Sequence, residues 1–211
     1  MKTRRILMSL FGVIICAISV GIFKIAAFGV DPFQSLMSGL NQLIPLPFGT
    51  LYTIINILLL TFGFIVDRHN IGIATFINLF LLGYITQYSY EFLQTIIINP
   101  SYFTRAVCLI VGIVVICFSS SLYMTANLGV STYDAIAIIL SGKWHIAKFK
   151  FCRITTDLIC VIVGIIVFLI GGGSISVIPT FVGIATIITA FFMGPLIEVF
   201  NEKISRPLLN K

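Results

Sequence analysis

The stretch GVDPFQ at positions 29–34 and the stretch GVSTYD at positions 129–134 decide the fold, because each interrupts a long apolar segment. In the first stretch, Asp31 is a favourable helix N-cap, and Pro32 fits the first helical position, where its missing N–H loses no partner. In the second stretch, Ser131 has the place of the cap. Each stretch therefore predicts that one helix ends and a short new helix begins.

The two short helices carry polar groups at their N-termini and are too short to cross a bilayer. Gln34 lies three residues after the first cap, which is a capping-box spacing, and Asp134 has that place in the second copy. The segments 31–44 and 131–141 fall well below the roughly 20 residues that a spanning helix needs. Each is either an interfacial helix at the headgroups or a re-entrant helix that lines a cavity.

Composition shows which class of protein carries these breaks. Apolar residues make up 59% of the 211 residues and charged residues only 9%, and the mean hydropathy is +1.14. A soluble domain needs roughly 25% charged residues to cover its surface. The chain is therefore expected to be an all-α integral membrane protein, and soluble globular, disordered, collagen-like and disulfide-scaffold classes are excluded.

Six apolar segments have the length that a spanning helix requires, and together they account for a single transmembrane domain over residues 1–211. The predicted spans are 6–28, 49–66, 71–94, 106–126, 154–170 and 177–198.

The basic residues predict the orientation of these spans. With the N-terminus in the cytoplasm, eleven of the 13 Lys and Arg residues fall on the cytoplasmic side, and only Lys24 and Arg105 fall outside. The cytoplasmic set is Lys2, Arg4, Arg5, Arg68, Lys143, Lys148, Lys150, Arg153, Lys203, Arg206 and Lys211. This asymmetry places both termini in the cytoplasm of a bacterial cell with the chain in its plasma membrane. It also accounts for the net charge of +6 without nucleic acid as a partner.

The chain contains an internal repeat. Residues 10–40 align without gaps on residues 110–140, and Gly and Ser positions match along the alignment. The sequence GIAT at 72–75 recurs unchanged at 183–186, in the third span of each half.

The repeat predicts an inverted architecture. Repeat 1 covers about 6–97 and repeat 2 about 104–200, and each holds three spans and one short amphipathic or re-entrant helix. Because three is odd, the two repeats face opposite sides of the membrane if the short helices do not cross. Inverted repeats of this kind occur in secondary transporters, around a binding site at the bilayer midplane.

These motifs resemble the YczE/YitT-type family of bacterial multi-spanning membrane proteins. The resemblance rests on GVDPFQ at 29–34, GVSTYD at 129–134, and the two GIAT segments, the first of which is followed by Asn78. Gln34 stands where the family has an acidic residue, and Thr132 stands where it has proline. The resemblance implies the membrane architecture; the family has no settled activity, so it implies no function.

Polar groups at the two breaks and in the adjoining spans are the candidate solute-binding residues, because a charge at the bilayer centre costs at least about 2.5 kcal/mol and needs a reason to be there. They are Asp31, Gln34, Asn56, Asn78, Asn127, Ser131, Tyr133, Asp134 and Asp157. Asp157 follows Arg153 by one helical turn, so it forms either an i,i+4 ion pair or a proton- or cation-linked group that faces a cavity. No arginine is expected inside, which favours a neutral or cationic ligand, or a proton on one of the acids.

Three classes of function fit these observations. The first is a transporter that moves a small solute by alternating access between the repeats, with H⁺ or Na⁺ coupling as an option. The second is a membrane-embedded substrate-binding or accessory subunit of a larger complex. The partners expected of the chain are an energising complex or further copies of the chain in a homo-oligomer. The third is a lipid-handling protein or membrane enzyme, which the absence of nucleophile, zinc and phosphate-loop motifs disfavours. The sequence predicts no enzyme, cofactor or metal site.

Overall fold

A computed structural model describes residues 2–67 and 71–210 of the chain, so Arg68 and Lys211 of the predicted cytoplasmic set lie outside the described residues. The α-helices in chain order are α1 Lys2–Ala26, α2 Pro32–Leu43, α3 Phe48–Val66, α4 Ile73–Ile96, α5 Tyr102–Ala126, α6 Thr132–Ile138, α7 Phe149–Ile170, α8 Ile178–Phe181, α9 Ile184–Phe200 and α10 Arg206–Asn210. A 3₁₀ turn covers Ile175–Val177, and π-helical turns cover Ile139–Lys143 and Asn201–Ser205. These two ranges contain helices and loops but no strand.

Five segments are long and apolar enough to cross a membrane: those of α1, α3, α5 and α7, and the segment Ile175–Leu209 that contains α9. Helix α4 fills the place of the third predicted span and is 24 residues long. It is not among the five, because its polar residues make it less apolar than those segments. Large apolar side chains such as Ile65 and Phe103 lie on the outer surface, each 78% exposed. The chain therefore has the character of a multi-pass helical membrane protein.

Helix α1 lies at the centre and packs along α4 and α5. Its side chains Val13, Val20 and Phe23 are almost fully buried, as a helix that is apolar all round requires. The two short helices pack on spans of the other half of the chain: α2 lies against α7, and α6 lies against α3.

The first break, residues 27–31, is tied to the segment before α9. Gly29 has φ +100°, a backbone conformation that glycine adopts without strain. The Gly29 N–H donates to the Thr180 carbonyl (3.2 Å), and the Val30 N–H donates to the Phe181 carbonyl (3.1 Å). In return, the Ala185 N–H donates to the Phe28 carbonyl (2.9 Å). Three backbone groups of this break are thus satisfied by the second half of the chain.

The second break, residues 127–131, makes the corresponding contacts with the start of α4. Gly129 has φ +109°. The Ala74 N–H donates to the Leu128 carbonyl (3.0 Å), and the Thr75 hydroxyl donates to the Val130 carbonyl (2.6 Å). The two GIAT segments therefore hold the two breaks, each from the opposite half of the chain, by packing and hydrogen bonds.

Candidate solute-binding site

Helix α2 begins as the sequence predicts, but its capping box is not closed. The Asp31 carboxylate accepts a hydrogen bond from the Gln34 N–H (3.1 Å), as an N-cap does. The reciprocal bond from the Gln34 side chain is missing, because its amide oxygen is buried and has no hydrogen-bond partner within residues 2–67 and 71–210. The helix is instead fixed from outside by the Ser35 hydroxyl, which donates to the Phe181 carbonyl (2.7 Å).

Helix α6 also begins at its predicted cap. The Ser131 hydroxyl accepts the Asp134 N–H (3.1 Å) and donates to the Asp134 carboxylate (2.6 Å). The predicted helix over 131–141 is in place, but its last part widens into the π-helical turn Ile139–Lys143.

The first turns of the two short helices meet. The rings of Phe33 in α2 and Tyr133 in α6 stack with centroids 4.9 Å apart and planes 19° apart. Tyr52 of α3 approaches Phe33 edge-on at 5.8 Å. Such aromatic contacts are favourable beyond the area they bury. The first turns of α2 and α6, 100 residues apart in sequence, thus form one site.

A cavity of about 500 Å³ lies where the first turns of α2 and α6 meet, and its volume is within the usual range for small-molecule sites. Its lining includes most of the candidate solute-binding residues, namely Asp31, Gln34, Asn78, Ser131, Tyr133, Asp134 and Asp157. The rest of the lining is largely apolar and aromatic, so the cavity combines a few polar groups with an apolar wall.

Two candidate residues lie elsewhere. Asn56 is 1% exposed; its oxygen accepts a hydrogen bond from the Thr132 hydroxyl, and its amide donates to the Tyr52 carbonyl (2.8 Å). It therefore fastens α6 to α3 and is not part of the cavity wall. Asn127 ends α5 in the left-handed conformation, at φ 50°, and lies in a separate depression beside Gly72.

An ion network lines the second-half side of the cavity. The Arg153 guanidinium contacts the Asp134 carboxylate through Nη1, and its Nε lies 3.2 Å from Asp157 Oδ1. The Tyr133 hydroxyl donates to the same carboxylate oxygen (2.5 Å), and Arg153 lies 4.5 Å from the centroid of the Tyr133 ring. The Tyr123 hydroxyl donates to Asp134 (3.2 Å). The predicted i,i+4 pair is thus present as part of a larger network.

Arg153 corrects the expectation that no arginine lies inside. Its side chain is only 29% exposed and contributes to the cavity wall. The sequence places it at the cytoplasmic end of a span, from where a long side chain can still reach inward. The i,i+4 spacing to Asp157 was the available signal, whereas the aromatic wall formed by Phe33, Tyr52 and Tyr123 had no sequence signal apart from Phe33 lying within a break.

Within the described ranges, no group of three or more His, Cys, Asp or Glu side chains is arranged to hold an ion. The five cysteines are buried and unbridged.

The chain matches a known protein family along almost its whole length. A model described as "Family of unknown function (DUF6198)" matches residues 3–202. The chain belongs to this family. A Bacillus subtilis protein named "Uncharacterized protein YyaS" is 23% identical to this DUF6198 chain over 201 residues, covering 95% of this chain and 94% of that protein. No solved structure gives a significant match. Function must therefore be argued from the site.

Proposed function

We propose that this DUF6198 protein is a membrane transporter for a small solute, and that the cavity between α2 and α6 is its solute site. The observation that carries the proposal is the meeting of the short helices α2 and α6, each of which follows a break, at the stacked rings of Phe33 and Tyr133. Helices that break at membrane depth are tolerated where they line a cavity, and transporters use such breaks to bind solutes.

The proposal includes six spans, α4 among them, in two inverted three-span repeats. The reciprocal backbone bonds support it, since each break is held by the third span of the other half. Alternating access would rock one repeat against the other around the cavity. We also propose that the chain is related to the YczE/YitT-type proteins, whose motifs it resembles.

The proposed orientation has both termini in the cytoplasm of a bacterial plasma membrane. Contacts between segment ends support it. Arg105 donates to the Ala26 and Ala27 carbonyls (2.8 and 2.6 Å), which joins the two segments assigned to the outer side. Lys143 donates to the Val66 carbonyl and joins two segments assigned to the inner side.

Coupling of transport to a cation is proposed at the network of Asp134, Arg153 and Asp157. A proton or Na⁺ that bound one of these carboxylates would compete with the arginine and loosen the contact between α6 and α7. Such competition links an ion to a change in the packing of two helices, which is what coupled transport requires.

Uptake by the purified chain tests the transport proposal. The protein is reconstituted alone into liposomes, and entry of neutral, cationic and anionic small solutes is measured with and without a pH or Na⁺ gradient. We expect uptake of one class, its loss in Asp134→Asn, and no change in Asp67→Asn, which alters a carboxylate outside the cavity wall. Solute binding without any flux would instead support the accessory-subunit alternative.

A further inference from the structure

The charge of the cavity wall is unbalanced. Within the described residues, the wall contains three carboxylates (Asp31, Asp134 and Asp157) and one guanidinium, that of Arg153, which leaves a formal charge of −2. Charges of one sign in a low-dielectric cleft raise the local concentration of the opposite ion.

The imbalance lies on the Asp31 side. Arg153 pairs with Asp134 and Asp157, so the two acids of the second half already have a cation. Asp31 accepts the Gln34 N–H, but over residues 2–67 and 71–210 it takes part in none of the ion pairs.

The first half of the chain places no cation at the position that corresponds to Arg153. Lys24, which interacts electrostatically with Asp31, is not part of the cavity wall, and its Nζ lies 3.3 Å from the centroid of the Phe48 ring. At the offset of 101 residues that matches Asn56 with Asp157, the residue that matches Arg153 is Tyr52. The hydroxyl of Tyr52 donates to Asn78 (3.4 Å) and supplies no charge.

Beside Asp31, the Gln34 side chain holds an acceptor without a donor. The residue is 3% exposed and lines the cavity, and its amide oxygen lacks a hydrogen-bond partner in the part of the chain that the structure describes. A buried acceptor of this kind is costly unless a donor reaches it. The Arg153 guanidinium does not supply this donor, because it is engaged with Asp134 and Asp157.

Aromatic side chains complete this part of the wall. Phe33, Tyr52 and Tyr133 all line the cavity, and Tyr133 already carries the Arg153 guanidinium near its face. Aromatic faces attract cations when water is excluded.

We infer that the solute of this site is a small organic cation that carries N–H donors, such as a primary ammonium, with Asp31 as its counter-ion and the Gln34 amide oxygen as its acceptor. The inference rests on the proposed solute site and adds the ligand's chemical class. The apolar and aromatic wall fits a hydrocarbon or aromatic body on the ligand.

Binding to the purified protein in detergent tests the inference without any transport. The probes are phenethylammonium, which has N–H donors; phenethyltrimethylammonium, which has the charge without the donors; and phenylacetate, which has the opposite charge. Affinity is measured by calorimetry, and folding by thermal unfolding. We expect phenethylammonium to bind, phenethyltrimethylammonium to bind about tenfold more weakly, and phenylacetate not to bind.

Two variants with matched controls locate the contacts. Asp31→Asn removes the charge but keeps a good N-cap, and it should weaken phenethylammonium binding about 10- to 100-fold; Asp67→Asn should not. Gln34→Leu should reduce the preference for phenethylammonium over the trimethyl probe, because the Asp31 carboxylate is then the only one of the two proposed acceptors that remains. Gln42→Leu makes the same change on the exposed part of α2 and should leave the preference intact.

Failure of phenethylammonium to bind, tighter binding of phenylacetate, or unchanged affinity in a folded Asp31→Asn protein would each overturn the inference. Binding without uptake by liposomes would remove the transport proposal and leave this inference standing. Uptake of another solute class, with no binding of phenethylammonium, would remove this inference and leave the transport proposal standing.

Discussion

Replacement of Gly29 by alanine tests the geometry of the first break. At φ +100°, an added Cβ would lie 2.5 Å from the Gly183 nitrogen and 2.6 Å from the Thr186 hydroxyl oxygen. Neither neighbour can yield easily, because Gly183 is backbone and Thr186 accepts the Gly183 N–H (3.1 Å). Gly29→Ala should therefore force the break away from the start of α9.

The expected loss of stability in Gly29→Ala has two parts. A left-handed conformation costs an alanine roughly 1–2 kcal/mol, and overpacking against fixed neighbours costs roughly 1–3 kcal/mol. Gly172 isolates the first part, since it has φ +78° with nothing within 4 Å of an added Cβ. Gly29→Ala should thus be destabilised by about 2–5 kcal/mol and Gly172→Ala by about 1–2 kcal/mol.

Thermal unfolding of the two variants in one detergent is the assay. For a chain of this size, the steric part alone corresponds to a difference of about 2–12 °C between the variants. Gly129→Ala should behave like Gly29→Ala, because its added Cβ would lie 2.6 Å from the Gly72 nitrogen. A Gly29→Ala protein as stable as Gly172→Ala would refute the close contact between the break and α9.

Three further predictions concern the site. Arg153→Met should destabilise the protein by about 2–3 kcal/mol. This is less than the loss of a fully buried ion pair would cost, because the Arg153 side chain is partly exposed. Arg206→Met, which removes an exposed ion pair, should change the free energy of unfolding by less than about 1 kcal/mol. Asn56→Leu and Thr132→Ala should show a coupling free energy of about 0.5–1.5 kcal/mol in a double-mutant cycle, and additive effects would contradict their hydrogen bond. Tyr133→Phe should lower stability by about 1.5–3 kcal/mol through loss of its bond to a carboxylate, and an unchanged unfolding temperature would argue against that bond.

The helix breaks could be predicted from sequence because their signals are local. The caps at Asp31 and Ser131 bond to backbone three residues away, and glycine at 29 and 129 permits the positive φ that precedes each new helix. Such features depend on a few consecutive residues, so the pattern in the chain is enough.

The site could be predicted only in part, because its contacts depend on how distant segments pack. The stacking of Phe33 on Tyr133 and the pairing of Arg153 with Asp134 join residues that no local pattern relates. Asn56 shows the same limit: it matches Asp157 in the repeat but bonds to Thr132. A match between two positions in the sequence does not determine their partners, because the side chains around them differ.

Accessibility of the cavity from each side of the membrane tests the central claim most directly. In a protein whose native cysteines are replaced, Ser120→Cys places a thiol of nearly the same size in the cavity wall on α5. A membrane-impermeant maleimide is then added to right-side-out and to inverted vesicles. Tyr102→Cys and Trp144→Cys report the sidedness of the two preparations, since both positions are exposed, at 78% and 49%, at helix ends assigned to opposite sides.

If the two broken segments enclose a site that opens to each side in turn, Cys at position 120 will be labelled in both preparations, Cys at 102 only in right-side-out vesicles, and Cys at 144 only in inverted ones. Labelling at position 120 from one side alone, or from neither, would contradict the account.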